Sequence, residues 1–224
     1  MAHFTPEYFT EYRREMYEWG SAADRGGKPM ARFYDIWADR YAKLHDDLGF
    51  PAPSNMAAIA SEIIGDKSVR ILDAASGIGM VGEALKNLGF TCIDALDASQ
   101  ISLDKSKERQ CYTEYICDTL DDHRTKIPDN NYDAVVMCGA FGVPGHVDDL
   151  CFPELIRITK PGGYIMFTLS VKVFDQWEAR LEAVIGALSE QGQLELVEYR
   201  WIQYYSSDKL NEKAKVPILR VLSK

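Results

Sequence analysis

The sequence predicts an α/β fold, a mostly parallel sheet with helices on both faces. Three observations carry that prediction. Short β-rich runs alternate with helical stripes from residue 69 onward. Those runs are apolar almost throughout, as strands covered on both faces are, instead of alternating apolar and polar. The last two runs have only a polar loop between them, which reads as an antiparallel hairpin at the sheet's edge.

The elements follow in order. Residues 5–20 read as a helix: Thr5 can cap it, Pro6 suits its first turn and Glu7 its positive end. Tyr8, Phe9, Tyr12, Met16 and Trp19 make its apolar stripe. A loop, Asp24 to Pro29, leads to a second stripe of Met30, Phe33, Tyr34, Trp37, Tyr41, Leu44 and Leu48. A third helix runs from Ser54 to Ile64 and stops at Gly65. Val69 to Leu72 is the first strand, and Val81 to Leu88 a helix closed by Gly89. Thr91 to Leu96 is the second strand, and Ser99 caps a helix reaching Arg109. Tyr112 to Cys117 and Tyr132 to Cys138 are the third and fourth strands. A helix from Asp148 to Thr159 stops before Pro161-Gly162-Gly163, which turns into a fifth strand, Tyr164 to Leu169. A helix from Asp175 to Ser189 precedes the hairpin, Leu194 to Tyr205 and Val216 to Leu222, giving seven strands.

At 224 residues the chain suits one domain, with 1–50 a helical lid and 66–224 the core. The charge balance of 25 basic and 34 acidic residues, net −9, argues against nucleic acid held by the protein's overall field. Five cysteines without Cys-x-x-Cys spacing suit a reducing compartment. No apolar run reaches the roughly 18–20 residues of a membrane span, and charges among the first residues argue against a signal peptide. The expectation is a soluble, cytoplasmic protein, monomer or homodimer, with no membrane partner.

In such a sheet ligands bind beyond the carboxyl ends of the strands. The first three strands each end in a carboxylate: Asp73, Asp97 and Asp118. Gly77-Ile78-Gly79-Met80-Val81-Gly82 matches the dinucleotide fingerprint, and Asp97 stands 97 − 77 = 20 residues on, where an acid holds ribose hydroxyls. The pattern points to a nucleoside. NAD brings a doubly negative pyrophosphate to a turn that opens on Asp73, whereas S-adenosylmethionine brings an ammonium, a sulfonium and no phosphate. Charge pairing at about 4 Å is worth about 4 kcal/mol at an effective dielectric of 20, before desolvation is subtracted, and repulsion is comparable.

Over about residues 33–170 the chain resembles the class I S-adenosylmethionine-dependent methyltransferases. The resemblance rests on Phe33 to Tyr41 as an entry segment, Ile71-Leu72-Asp73-Ala74-Ala75-Ser76-Gly77-Ile78-Gly79 as the glycine motif, Tyr132 to Val136 as the fourth strand and Leu155 to Gly163 as the turn before the fifth. From Gly145 to Gly163 it is most similar to the methyltransferase-like proteins of the Williams–Beuren region. The resemblance implies a Rossmann-like sheet and S-adenosyl-L-methionine as cofactor, leaving as S-adenosyl-L-homocysteine. It implies that Ala75, Ser76, Gly77 and Met80 face the methionyl part, with Asp73 organising the ammonium end. It implies Asp97, with Ala98, on the ribose, Asp118, with Thr119, on the adenine amino group, and Cys138 and Gly139 near the sulfonium. The usual first glycine of the motif is Ala75 here.

Tyr34 and Tyr41 are expected to cover the cofactor. Tyr34, Trp37, His146, Trp201 and Tyr204 are candidates for the substrate wall, with core packing the alternative for the aromatics and an oligomer contact a further one for Trp201 and Tyr204. His146 or a tyrosine of the front helices is the candidate general base. His146-x-Asp148-Asp149 has a metal-like look, but the two acids suit a helix start, and no metal is expected. The expected function is methyl transfer to the N, O, S or C nucleophile of a small molecule by in-line displacement. The alternatives are an NAD-linked oxidoreductase, a catalytically silent cofactor-binding module, and a methyltransferase of protein or RNA.

Overall fold

The computed structural model describes residues 6–22, 28–208 and 210–222. Thr5 and residues 24–27 of the expected first loop lie outside them, as do the side chains of Glu7, Tyr8 and Pro29. The elements are α1 (Pro6–Ala22), α2 (Lys28–Leu48), α3 (Ala52–Ile64), β1 (Arg70–Ala74), α4 (Met80–Asn87), β2 (Cys92–Asp97), α5 (Gln100–Ser106), β3 (Glu114–Cys117), β4 (Tyr132–Met137), α6 (Phe152–Ile158), β5 (Thr159–Phe167), β6 (Leu169–Ser170), α7 (Val171–Glu190), β7 (Leu194–Ser206) and β8 (Asn211–Val221).

The sheet runs β3-β2-β1-β4-β5-β8, with β7 paired to β8. Strands β1 to β5 are parallel, and β8 is antiparallel to both β5 and β7. This is the expected Rossmann-like sheet with its antiparallel edge. Among the described residues it contains eight strands instead of seven, because the chain leaving β5 pairs again with β8 through the two residues of β6. Pro161-Gly162-Gly163 also differs from expectation. It lies inside β5, where the register jumps from Tyr132 opposite Thr159 to Ala134 opposite Tyr164. The extra residues are absorbed as a bulge, not as a turn before the strand.

Alternation along each strand sorts the core into two faces. Leu72, Val135, Ile165 and Phe167 pack towards α6 and α7. Ile71, Ile93, Val136 and Met166 pack towards α3 and α4. Helix α7 begins a turn ahead of Asp175 because Val173 and Phe174 are buried there. Ser99 caps α5 as expected, accepting from the Ser102 amide at 3.0 Å.

The N-terminal helices form a third cluster around Phe9, Tyr12, Phe33, Trp37 and Leu44, closed by Tyr205 of β7. Full burial of each large side chain is worth about 1.5–3 kcal/mol. Tyr12 meets Trp37 edge-on with ring centroids 5.0 Å apart. A buried polar pair tightens the cluster: His45 Nδ1 donates to the Tyr41 carbonyl at 2.9 Å, and the Tyr205 hydroxyl meets His45 Nε2 at 3.2 Å. No helix among the described residues is long and apolar enough to cross a membrane.

Candidate functional site

A cavity of about 370 Å³ opens at the carboxyl ends of β1, β2 and β4, roofed by α1 and α2. Its lining includes Tyr34, Tyr41, Ala75, Gly77, Asp97, Ala98, Asp118, Thr119, Cys138, Gly139 and His146. The fold thus brings together eleven of the residues picked out from the sequence, although they span more than 110 positions.

Asp97 ends β2 and accepts two backbone N–H groups: Gly77 on Oδ2 at 2.7 Å and Ser99 on Oδ1 at 2.8 Å. A carboxylate oxygen has two lone pairs, so each retains one for a further donor. Burial pushes the Asp97 carboxyl above its ordinary range, against the pull of those two amides. Ser99 also ties this corner to the roof, its hydroxyl donating to Asp35 of α2 at 2.6 Å. Asp118 accepts the Thr119 amide at 2.9 Å and meets His123 Nε2 at 3.1 Å. The other nitrogen of His123 is on Asp121, and this bond, with the nearby carboxylates, raises the imidazole's pKa.

Asp73 is placed elsewhere. It is 1% exposed and lies behind the turn, not on the cavity. Its Oδ2 accepts the Gly82 amide at 3.1 Å and the Tyr112 hydroxyl. Burial pushes it up to about 7, opposed by those two bonds. The expectation that it reaches a ligand's ammonium end is therefore corrected: Asp73 staples β1 to the start of α4. Gly82 serves the same joint, since a Cβ there would lie 2.2 Å from the Tyr112 ring. The sequence pattern places Tyr112 only at the start of a strand, and nothing local marks it as the partner of Asp73.

The glycine turn is open towards the cavity. A Cβ on Gly77 would meet nothing within 4 Å among the described residues. Ser76 is buried, and its hydroxyl has no partner among the described residues. Ala75 adopts φ 53°, the left-handed region. Neither Ser76 nor Met80 lines the cavity.

The other wall is the loop after β4. Phe141 and Val147 form an isolated bridge, and the Gly142 amide bonds the Val147 carbonyl at 2.8 Å, so Val143 to His146 project as a tight turn. Gly145 packs against the backbone of Gly20 of α1, and its φ of 73° suits glycine. His146 Nδ1 lies 2.9 Å from the Pro144 carbonyl and Nε2 lies 2.7 Å from the Tyr34 hydroxyl. Burial lowers its pKa to about 4, so the ring is neutral near pH 7. Asp148 caps the next turn through the Leu150 amide at 3.0 Å, and Asp149 pairs with Arg180. Asp148 thus serves the helix start, and Asp149 ties it to α7.

Three aromatic candidates are corrected. Trp37 is 4% exposed and packs within the roof cluster instead of walling a substrate. Trp201 is 56% exposed on β7 and outside the cavity lining. Tyr204 lies behind the floor: a Cβ on Gly139 would stand 3.1 Å from its hydroxyl.

Comparison with known proteins agrees with this fold. Residues 71–163 match the family model described as a methyltransferase domain. Human Methyltransferase-like protein 27 is 30% identical over 166 residues, covering 73% of this chain and 67% of that protein. Among solved structures, the [4+2]-cyclase SpnF superposes with a TM-score of 0.67 at 16% identity, covering 89% of this chain and 98% of that one. A Methanococcus maripaludis protein classed with the S-adenosyl-L-methionine-dependent methyltransferases gives 0.60 at 18% identity, covering 85% and 94%. At these identities the structures establish the shared fold.

Proposed function

The chain belongs to the class I S-adenosylmethionine-dependent methyltransferases, and we propose that it methylates a small, uncharged or cationic molecule held between the roof helices and the loop after β4. The observation that carries this reading is the lining of the cavity. Asp97, Asp118, Asp121 and Asp148 line it, and no Lys or Arg does among the described residues. A phosphate, a carboxylate substrate or a nucleic-acid backbone would find repulsion there and no cationic partner. The wall beyond the carboxylates is largely apolar, with Met30, Val143, Val147, Leu150 and Trp177, which suits a small organic acceptor.

The residues present fit the cofactor. Asp97 has lone pairs to spare for two ribose hydroxyls, and Asp118 offers an acceptor for an adenine amino group. The open side of Gly77 leaves room for close backbone approach. When bound, S-adenosylmethionine supplies a methyl group already activated on a sulfonium. What remains for the chain is orientation and exclusion of water, and good alignment can lower a barrier by roughly 7–11 kcal/mol. Tyr34 and Tyr41 of α2 face the cavity from the roof and do both. NAD fits less well, because the Gly82 amide at the start of α4 is already taken by Asp73.

Calorimetry tests the reading. Wild type should bind S-adenosylmethionine and S-adenosylhomocysteine, and Asp97→Ala should weaken both by about 100-fold or more, the loss of two charge-assisted hydrogen bonds. A tritiated methyl donor presented with neutral, cationic and anionic small molecules should label no anion. Tight NAD binding without S-adenosylmethionine binding would refute the assignment, and binding without transfer to any acceptor would favour a silent module.

A further inference from the structure

We propose that Tyr34 and His146 form a proton relay, and that the acceptor is methylated on an atom that must lose a proton, a hydroxyl oxygen or an N–H nitrogen. This rests on the methyl-transfer reading above.

The geometry fixes the direction of the relay. A carbonyl oxygen only accepts, so the 2.9 Å contact with Pro144 places the ring proton of His146 on Nδ1. Nε2 is then the bare nitrogen, and the Tyr34 hydroxyl donates to it at 2.7 Å. The Tyr34 oxygen, having donated its proton, keeps a lone pair for a further donor, on a side chain that lines the cavity. An acceptor O–H or N–H that donates to that lone pair is joined to a base two bonds away. As the new bond to the methyl carbon forms, the acceptor proton passes to Tyr34 and the Tyr34 proton to Nε2. The methyl–sulfur electron pair stays on sulfur. The positive charge of the sulfonium ends on the imidazole, where the Pro144 carbonyl stabilises it.

The molecule holds an internal comparison. His45 has the same arrangement, with Nδ1 on the Tyr41 carbonyl and Nε2 on the Tyr205 hydroxyl. That pair is sealed in the roof cluster, where it only satisfies buried polar groups. The Tyr34–His146 pair differs in opening on the cavity. The titratable groups that act on it are Tyr12 from α1, Tyr41 from α2, Asp97 from β2 and Tyr205 from β7. No cation is among them, so an imidazolium formed there meets only neutral or negative neighbours.

The first test needs no acceptor. In protein labelled with ¹⁵N-histidine, His146 should show the Nδ1–H tautomer, and Tyr34→Phe should move its Nε2 resonance as the donated hydrogen bond is lost. An Nε2–H tautomer, or a resonance that Tyr34→Phe leaves in place, overturns the relay. The second test sets phenol and aniline probes against pyridine and dimethyl sulfide, which have no proton to lose. His146→Gln keeps an oxygen to accept from Tyr34 but is no base, so it should cut transfer to phenol or aniline about 100-fold or more and leave calorimetric affinity for S-adenosylhomocysteine unchanged. Transfer only to pyridine or dimethyl sulfide, or a variant as fast as wild type, overturns the proposal. A wild type that binds no S-adenosylhomocysteine instead overturns the methyl-transfer reading, and the tautomer result is unaffected by it.

Discussion

Ala75 shows what a single methyl group does at this site. Its φ of 53° is a conformation that costs an L-residue roughly 1–2 kcal/mol and glycine little. Glycine loses about 0.5–1 kcal/mol in backbone entropy, so Ala75→Gly should raise stability by up to about 1.5 kcal/mol, read from urea unfolding. The departure from the glycine motif is visible in the sequence; that the backbone keeps the glycine conformation is not. Asp73 teaches the complementary lesson. Its place at the end of β1 was legible, but its burial depends on Tyr112, 39 residues away. Tyr112→Phe should cost about 1–3 kcal/mol by leaving a buried carboxylate oxygen with one partner fewer. Burial drives Asp73 upward and the tyrosine hydroxyl opposes it, so the same variant should push the Asp73 pKa still higher, measurable by ¹³C chemical shift.

At the scale of elements, the parallel strands, their order of appearance and the terminal hairpin were legible, because period and apolar runs are local properties. Packing between distant elements was not. Trp37 and Trp201 each stand among other aromatics in the sequence, yet one is buried between α1 and α2 and the other is exposed on β7. The contact that seats the roof is equally silent in the sequence. Gly20 lies in α1, where glycine is a poor helix former. A Cβ there would stand 2.0 Å from the Pro144 carbonyl oxygen, the same oxygen that orients His146. Gly20→Ala should therefore push α1 away from the loop after β4. We expect overpacking to cost about 1–3 kcal/mol in spite of the better helix residue. The His146 tautomer should lose its definition in the ¹⁵N spectrum, while the corner of Asp97, Gly77 and Ser99 should retain its amide shifts.

For the whole molecule, stability against pH sums buried groups of opposite sign. His45, 2% exposed, is lowered by burial to about 4, so the unfolded chain takes up its proton first as pH falls. Its contribution is complete above about 6.5 and is lost towards 4. Asp73 runs the other way. Held up to about 7, it is protonated in the folded state where the unfolded chain is ionised. Its contribution is complete below about 3.8 and is lost as pH rises through 7. Each slope is at most about 1.4 kcal/mol per pH unit. Net acid stability mixes these with His146 and Asp97, so single variants isolate the signs better than the wild-type curve does. From pH 4.5 to 6.5 the advantage of wild type over His45→Gln should grow, while its advantage over Asp73→Asn should shrink. Urea unfolding at several pH values measures both differences in one series. Parallel slopes would mean that one of the two groups is hydrated in the folded protein. Were Asp73 that group, it would titrate like an ordinary carboxylate, and the staple between β1 and α4 would be looser than its two hydrogen bonds require.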